Sequence, residues 1–255
     1  MDGYAGRKCV IVGGTHGMGL AVARRLVDGG AEVIVTGRNP ENVAKAAQTL
    51  GRRAHAVAAD ITRMADIEAL AEAVNKTFGA ADFVFANAGI GIFELFEAVN
   101  EATYDRYFAT NAKGIFFAAQ RLAPLVRNGG SFVFTTVTPG NASPGLAVYA
   151  GTKAAVKAFA RTMAVELLPR DIRVNMVAPG FIDTPTLGIA DATPEERAEI
   201  HAIGDAATPM KRHGTPDEVA SAVLFLAFDA TFTTGVELPV DGGISQMDAP
   251  MGTEA

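Results

Sequence analysis

Short runs of β-branched and aromatic residues alternate with Ala-rich stretches of helical spacing along nearly the whole chain. Residues 9–12, 32–36, 54–59, 83–86, 131–137 and 172–177 read as strands. Apolar residues recur at helical spacing over 18–28, 41–50, 65–78, 112–126, 149–168 and 216–228. Near-continuous apolar strands, each followed by a helix, have one economical solution: a parallel sheet covered by helices on both faces. A last strand near 235–240 completes it. Residues 180–214 break the alternation and read as an irregular lid, and 244–255 as a loosely held polar tail. With no linker or repeat, 1–255 is read as a single domain.

Composition narrows the classes of function. Lys and Arg total 22 against 28 Asp and Glu, a net charge of −6. That balance gives no general attraction to nucleic acid or an anionic membrane. No apolar run reaches the roughly 20 residues of a spanning helix, and residues 1–8 lack the apolar core of a signal peptide. Cys9 is the only cysteine, so no internal disulfide forms and a cytoplasmic, reducing compartment is expected. Its neighbours Val10, Ile11 and Val12 make it a buried core thiol rather than a nucleophile.

The first strand runs into Gly13-Gly14-Thr15-His16-Gly17-Met18-Gly19 and then straight into a helix. Strand, glycine turn and helix in that order place a pyrophosphate at a helix N-terminus, with glycines admitting the ligand to the backbone. Taken alone, the cluster is also what an ordinary βα turn looks like.

The spacing Gly13-x-x-x-Gly17-x-Gly19 resembles that of the classical short-chain dehydrogenase/reductase family. Further matches follow in the family's order. Asp60, with Ile61 beside it, resembles the adenine contact after the third strand, and Asn87-Ala88-Gly89 resembles the N-A-G turn. Asn111, Tyr149 and Lys153 stand where the family keeps its catalytic set. Pro179-Gly180, with Ile182 and Thr184, resembles the segment that closes over the nicotinamide. The likeness spans residues 7–243 and implies a Rossmann-type, doubly wound α/β fold, its mainly parallel seven-stranded sheet ordered 3-2-1-4-5-6-7. It also implies a homotetramer, with contact surfaces on the helices at 112–126 and 149–168.

An acidic residue after the second strand would hold a ribose 2′-hydroxyl. The family's usual position for it is Gly37 here, and Arg38 follows. A guanidinium without a competing carboxylate suits a 2′-phosphate, and His16 adds a further donor. NADP(H) is therefore the expected cofactor, with NAD(H) the alternative; Arg38 as a solvated surface charge is the plainer reading.

Tyr149 and Lys153, four residues apart, share one helix face. Free tyrosine titrates at about 10, and a neighbouring ammonium together with the positive nicotinamide of an oxidised cofactor is expected to lower that value. The family's serine, thirteen positions before the tyrosine, is replaced by Thr136, with Thr138 and Ser143 in reserve; a threonine that only packs in its strand is the competing reading. The resemblance gives Asn111 a proton-relay water to hold. Asn in the middle of a helix otherwise signals a kink or a local hydrogen bond. These residues together predict transfer of a hydride between nicotinamide and a carbonyl/alcohol pair. A steroid-type or alcohol dehydrogenase using NAD, or a dinucleotide sensor without catalysis, are the alternatives.

The four histidines, at 16, 55, 201 and 213, show no metal-ligand spacing, and no metal is expected. Ser143 lacks a nucleophile elbow. The apolar lid residues Ile182, Leu187, Ile189, Ala190 and Met210 suit a hydrophobic ketone. The run 91–96 reads equally well as pocket lining, core or oligomer contact.

Overall fold

The computed structural model describes residues 3–138, 143–185 and 193–247. Seven strands form one sheet: β1 (Lys8–Val12), β2 (Glu32–Gly37), β3 (Ala54–Ala58), β4 (Ala81–Ala86), β5 (Val126–Thr135), β6 (Arg173–Pro179) and β7 (Glu237–Val240). Their order is β3-β2-β1-β4-β5-β6-β7, as the sequence predicts. Every neighbouring pair is parallel, so the sheet is wholly rather than mainly so.

Alternation along each strand feeds two cores. From β1, Cys9 and Ile11 pack with Val22 and Leu26 of α1 (Gly17–Asp28) and with Val219 and Val223 of α8 (Pro216–Leu224). Val10 and Val12 face the other way, toward Ile67 and Leu70 of α3 (Met64–Phe78), Ile115 of α5 (Ile115–Leu122) and Val156 of α6 (Ala147–Glu166). Such two-sided burial is what near-continuous apolar strands require. The strand order reverses between β1 and β4, opening a crevice at the carboxyl ends of the strands. The glycine turn sits at that point.

Three expectations are corrected. The helix predicted over 112–126 begins earlier and is not uniform. It consists of α4 (Glu101–Tyr107), a π-helical turn (Phe108–Gly114), α5 and a 3₁₀ turn (Ala123–Leu125), and Val126 already belongs to β5. The polar first half of this unit hides its start from an apolar-periodicity reading. The helix predicted over 216–228 is α8 followed by a second π turn, Phe225–Asp229. The segment 180–214 is not wholly irregular either, since α7 (Pro194–Ala207) lies within it. Its start is fixed by a Thr193/Glu196 capping box and a first-turn proline, while Gly204 is its only buried residue.

α2 (Pro40–Leu50) completes the helices that position the site. The tail is described as far as Met247. Its first part is tied down by the Asp241 carboxylate, which accepts from the backbone N–H of Gly243 and of Ser245 at 3.0 Å each. No helix among the described residues is long and apolar enough to cross a membrane.

Candidate active site

α1 begins at Gly17 with an extended N-cap, His16, that makes no side-chain cap, and its first turn carries no acid. By contrast, α2, α4, α7 and α8 are all capped by side chains. The first-turn N–H groups of a helix have no intrahelical partner, so α1, like α6 uncapped and without a first-turn acid, keeps its positive end open to an anion at the glycine turn. The glycines are required by close approach. At Gly13 (φ +82°) an added Cβ would lie 2.6 Å from Ala88 Cα, and at Gly19 2.1 Å from the Gly13 carbonyl oxygen. Asn87 Nδ2 donates to that same oxygen at 2.9 Å, and the Asn87 and Ala88 N–H groups donate to the Val12 carbonyl at 3.0 and 2.8 Å. Asn87-Ala88-Gly89 thus buttresses the glycine turn. A dinucleotide pyrophosphate fits this uncapped cradle, where Gly13, Gly17 and Gly19 leave the backbone open to approach.

Thr184 arrives over the turn, its Cγ2 3.4 Å from where a Cβ of Gly17 would stand. Pro179 ends β6, and the Gly180 N–H donates to the Val240 carbonyl at 3.1 Å. Ile182 is not a lid residue facing outward. It is 8% exposed and bridges to Gly214. Met210 is exposed, and Leu187, Ile189 and Ala190 lie outside the described residues. Asp60 is engaged locally, its Oδ1 accepting from the Thr62 N–H and hydroxyl at 2.9 and 2.8 Å. Ile61 is buried where Gly114 packs on its carbonyl. Arg38 and His16 are both exposed at the mouth of the crevice. Gly37 has a steric reason as well as an electrostatic one: a Cβ there would lie 2.5 Å from Thr15 Oγ1 and 2.7 Å from Thr15 Cγ2.

Tyr149 and Lys153 lie one turn apart on α6, the Lys153 Nζ 5.7 Å from the Tyr149 ring centroid. Lys153 is buried and donates to the Thr135 carbonyl at 3.1 Å. Gly89 admits both Lys153 and Asn111, since a Cβ there would stand 3.3 Å from Lys153 Nζ and 3.4 Å from Asn111 Oδ1. Asn111 occupies the π turn, fully buried. Its Oδ1 accepts from the Ile90 N–H at 2.8 Å, and its Nδ2 donates to the Ile90 carbonyl at 2.9 Å and to Thr152 Oγ1 at 3.2 Å. The local hydrogen bonds are therefore present, within a π turn of the kind often found at functional sites.

Thr136 is less available. Its hydroxyl donates to the Val177 carbonyl at 3.2 Å and the residue is 2% exposed. Thr138 is half-buried and donates to the Pro179 carbonyl at 2.9 Å; Ser143 is exposed. Tyr107, which the sequence reading passed over, clamps the loop after Gly89: its hydroxyl bonds both the N–H and the carbonyl of Ile92. Its ring centroid lies 6.2 Å from that of Tyr149. The signal was present in its i, i+4 relation to Asn111.

In the cofactor-free chain the lysine does not produce the expected lowering of the tyrosine pKa. Burial, and then the neighbouring Tyr107 phenol, push Tyr149 up to about 12. Burial also lowers Lys153 to about 8. Burial thus sets the two values apart, leaving Lys153 the more readily deprotonated of the pair. Below pH 8 both folded and unfolded chains hold the lysine proton, and burial of the charge costs its full amount. Between 8 and 10.5 the unfolded chain binds the extra proton, so stability rises with pH. Lys153→Met is therefore expected to stabilise the cofactor-free fold at neutral pH by on the order of 2–3 kcal/mol. Denaturant titrations from pH 7 to 10.5 would show the gain shrinking as pH rises.

The comparisons agree with this geometry. A family-wide profile described as enoyl-(acyl carrier protein) reductase matches residues 12–245. An oxidoreductase of Sarocladium schorii is 37% identical over 95% of this chain and 97% of its own. The 3-oxoacyl-[acyl-carrier-protein] reductase of Thermotoga maritima is 33% identical over 94% of this chain and 98% of its own. Among solved structures, the 3-ketoacyl-(acyl-carrier-protein) reductase of Brucella melitensis complexed with NADH superposes with a TM-score of 0.85 at 33% identity, covering 95% of this chain and 99% of that one. The chain belongs to the short-chain dehydrogenase/reductase family. It is an oxidoreductase with a nicotinamide-dinucleotide-binding fold.

Proposed function

We propose that the protein is an NADP(H)-dependent carbonyl reductase, working in the cytoplasm on a hydrophobic ketone or the corresponding alcohol. The observation that carries the reaction is the convergence of Lys153 and Asn111 on Gly89, one helical turn from Tyr149. Bound in the cradle, the nicotinamide supplies or accepts the hydride. The chain's own residues orient the carbonyl and handle the proton. The Tyr149 hydroxyl donates to the carbonyl oxygen and gives up its proton as the alkoxide develops. Lys153 and a water held by Asn111 return that proton from solvent.

NADP(H) is favoured by the pairing of Gly37 with Arg38. Thr15 fills the space a side chain at 37 would take, so no carboxylate opposes a 2′-phosphate, and the exposed guanidinium of Arg38 is free to meet it. The residue that donates to the substrate beside Tyr149 is Thr136, provided its bond to Val177 is exchanged. Thr136→Val is expected to lower kcat/KM by roughly tenfold or more, while Thr136→Ser retains it. Loss with Thr138→Val instead would move the role to that residue.

A homotetramer is supported by the outer surface of the helical layer. A groove of about 580 Å³ runs between the π turn, α5 and α6, lined by Phe108, Phe116, Phe117 and Phe159. Exposed Ala147, Ala150, Ala154 and Ala158 keep the first half of α6 smooth enough for close helix approach. Light scattering showing a monomer would dismiss this assembly.

A further inference from the structure

Away from the crevice, His201, Asp205 and His213 bring three ligating atoms within 4.8 Å of one another. His201 and Asp205 are one turn apart on α7, so both side chains leave the same helix face. His213 comes from the loop before α8. Its Nδ1 lies 2.7 Å from Asp205 Oδ1, while His201 Nδ1 lies 3.4 Å from Asp205 Oδ2. One carboxylate therefore addresses two imidazoles, each through a different oxygen.

The third ligand is held in place before anything binds. His213 is buried, 7% exposed, with its ring 5.6 Å from that of Phe181. Gly204 makes room for it: a Cβ there would lie 2.5 Å from the His213 ring. The nearby guanidinium of Arg212 is engaged by both carboxylate oxygens of Glu218, and the Lys211 ammonium by the Ala206 carbonyl at 2.9 Å. Neither cation occupies the carboxylate.

We propose that His201, Asp205 and His213 form a site for a divalent transition-metal ion, with Zn²⁺ the best match. Two imidazoles and a carboxylate are a borderline donor set that suits Zn²⁺ and leaves a fourth position for water. Coordination requires two adjustments: the Asp205 carboxylate must draw back from its 2.7 Å hydrogen bond with His213 Nδ1 to the wider ligand spacing of a tetrahedral ion, and His201 must turn. The two rings are stacked, with centroids 3.9 Å apart and planes 12° from parallel, and rings so arranged do not aim both in-plane lone pairs at a single ion. His201, with 42% of its side chain exposed, is the partner that turns; His213 stays.

The ion would act as a clasp between α7 and the strand-end segment beside the cofactor cradle. The Gly214 N–H, next to His213, donates to the Phe181 carbonyl at 2.9 Å, and the Gly214 carbonyl accepts from the Asp183 N–H at 2.8 Å. Fixing His213 to α7 therefore braces the segment that leads to Thr184.

The test is Zn²⁺ titration of the full chain by calorimetry, with amide exchange of α7 measured with and without the ion. The expected result is one ion per chain, with affinity falling by more than about tenfold in His201→Ala and in Asp205→Asn. The exposed His55→Ala is expected to leave it unchanged, and Zn²⁺ should slow exchange across residues 194–207. His201→Ala removes a half-exposed side chain, so its fold is checked by an unchanged melting curve without metal. No stoichiometric binding, or equal loss in the His55 variant, would overturn the proposal and leave the cluster as a hydrogen-bonded histidine pair.

Discussion

Tyr149→Phe is expected to lower turnover by about a thousandfold or more while leaving NADPH affinity within about twofold. In the proposed mechanism the phenol passes a proton to the substrate oxygen, and general acid catalysis contributes roughly 10²–10⁴-fold. The ring itself stays, and with it the packing against Tyr107, whose centroid is 6.2 Å away, so the fold and the cradle are undisturbed. Single-turnover rates with saturating NADPH would separate this from a binding defect. An equal loss of NADPH affinity would show that Tyr149 acts in binding rather than in proton transfer.

Gly37→Asp is the second large effect, and its outcome depends on Thr15. Alone, the substitution drives a Cβ to 2.5 Å from Thr15 Oγ1 and sets a carboxylate against the 2′-phosphate. The dissociation constant for NADPH should rise by roughly a hundredfold, about 2.8 kcal/mol, with no compensating gain for NADH. Combined with Thr15→Gly, the same aspartate has room to reach a 2′-hydroxyl, and NADH affinity should then improve. Fluorescence titration of both cofactors against the two single variants and the double variant measures the coupling. Additive effects would mean that Thr15 does not guard this position.

Much of this was legible before any coordinates. The parallel sheet with helices on both faces follows from apolar runs separated by helical spacing, while the order of its strands came from the family resemblance. Tyr149, Lys153, Asn111 and the N-A-G turn were found by their resemblance to the family's motifs, and the structure brings Lys153 and Asn111 together on Gly89. What escaped were features that local pattern does not encode. The π turn that holds Asn111 ends at Gly114, where the chain packs on the Ile61 carbonyl, a tertiary contact that local propensity does not report. α7 buries almost nothing, so apolar periodicity does not reveal it, although its capping box was readable at Thr193 and Glu196. The bond from Thr136 to Val177 joins residues 41 apart in sequence, and the clash that keeps position 37 bare depends on a turn more than twenty residues upstream. The inversion of the Tyr149 and Lys153 pKa values comes from burial, which motif spacing does not report.

The most direct test is consumption of reduced nicotinamide by the purified wild-type chain, followed by absorbance across a panel of hydrophobic ketones with NADPH and with NADH. The account predicts ketone-dependent turnover, faster with NADPH, with one alcohol formed for each NADPH oxidised. Tight NADPH binding with no oxidation by any ketone, or a clear preference for NADH, would contradict it.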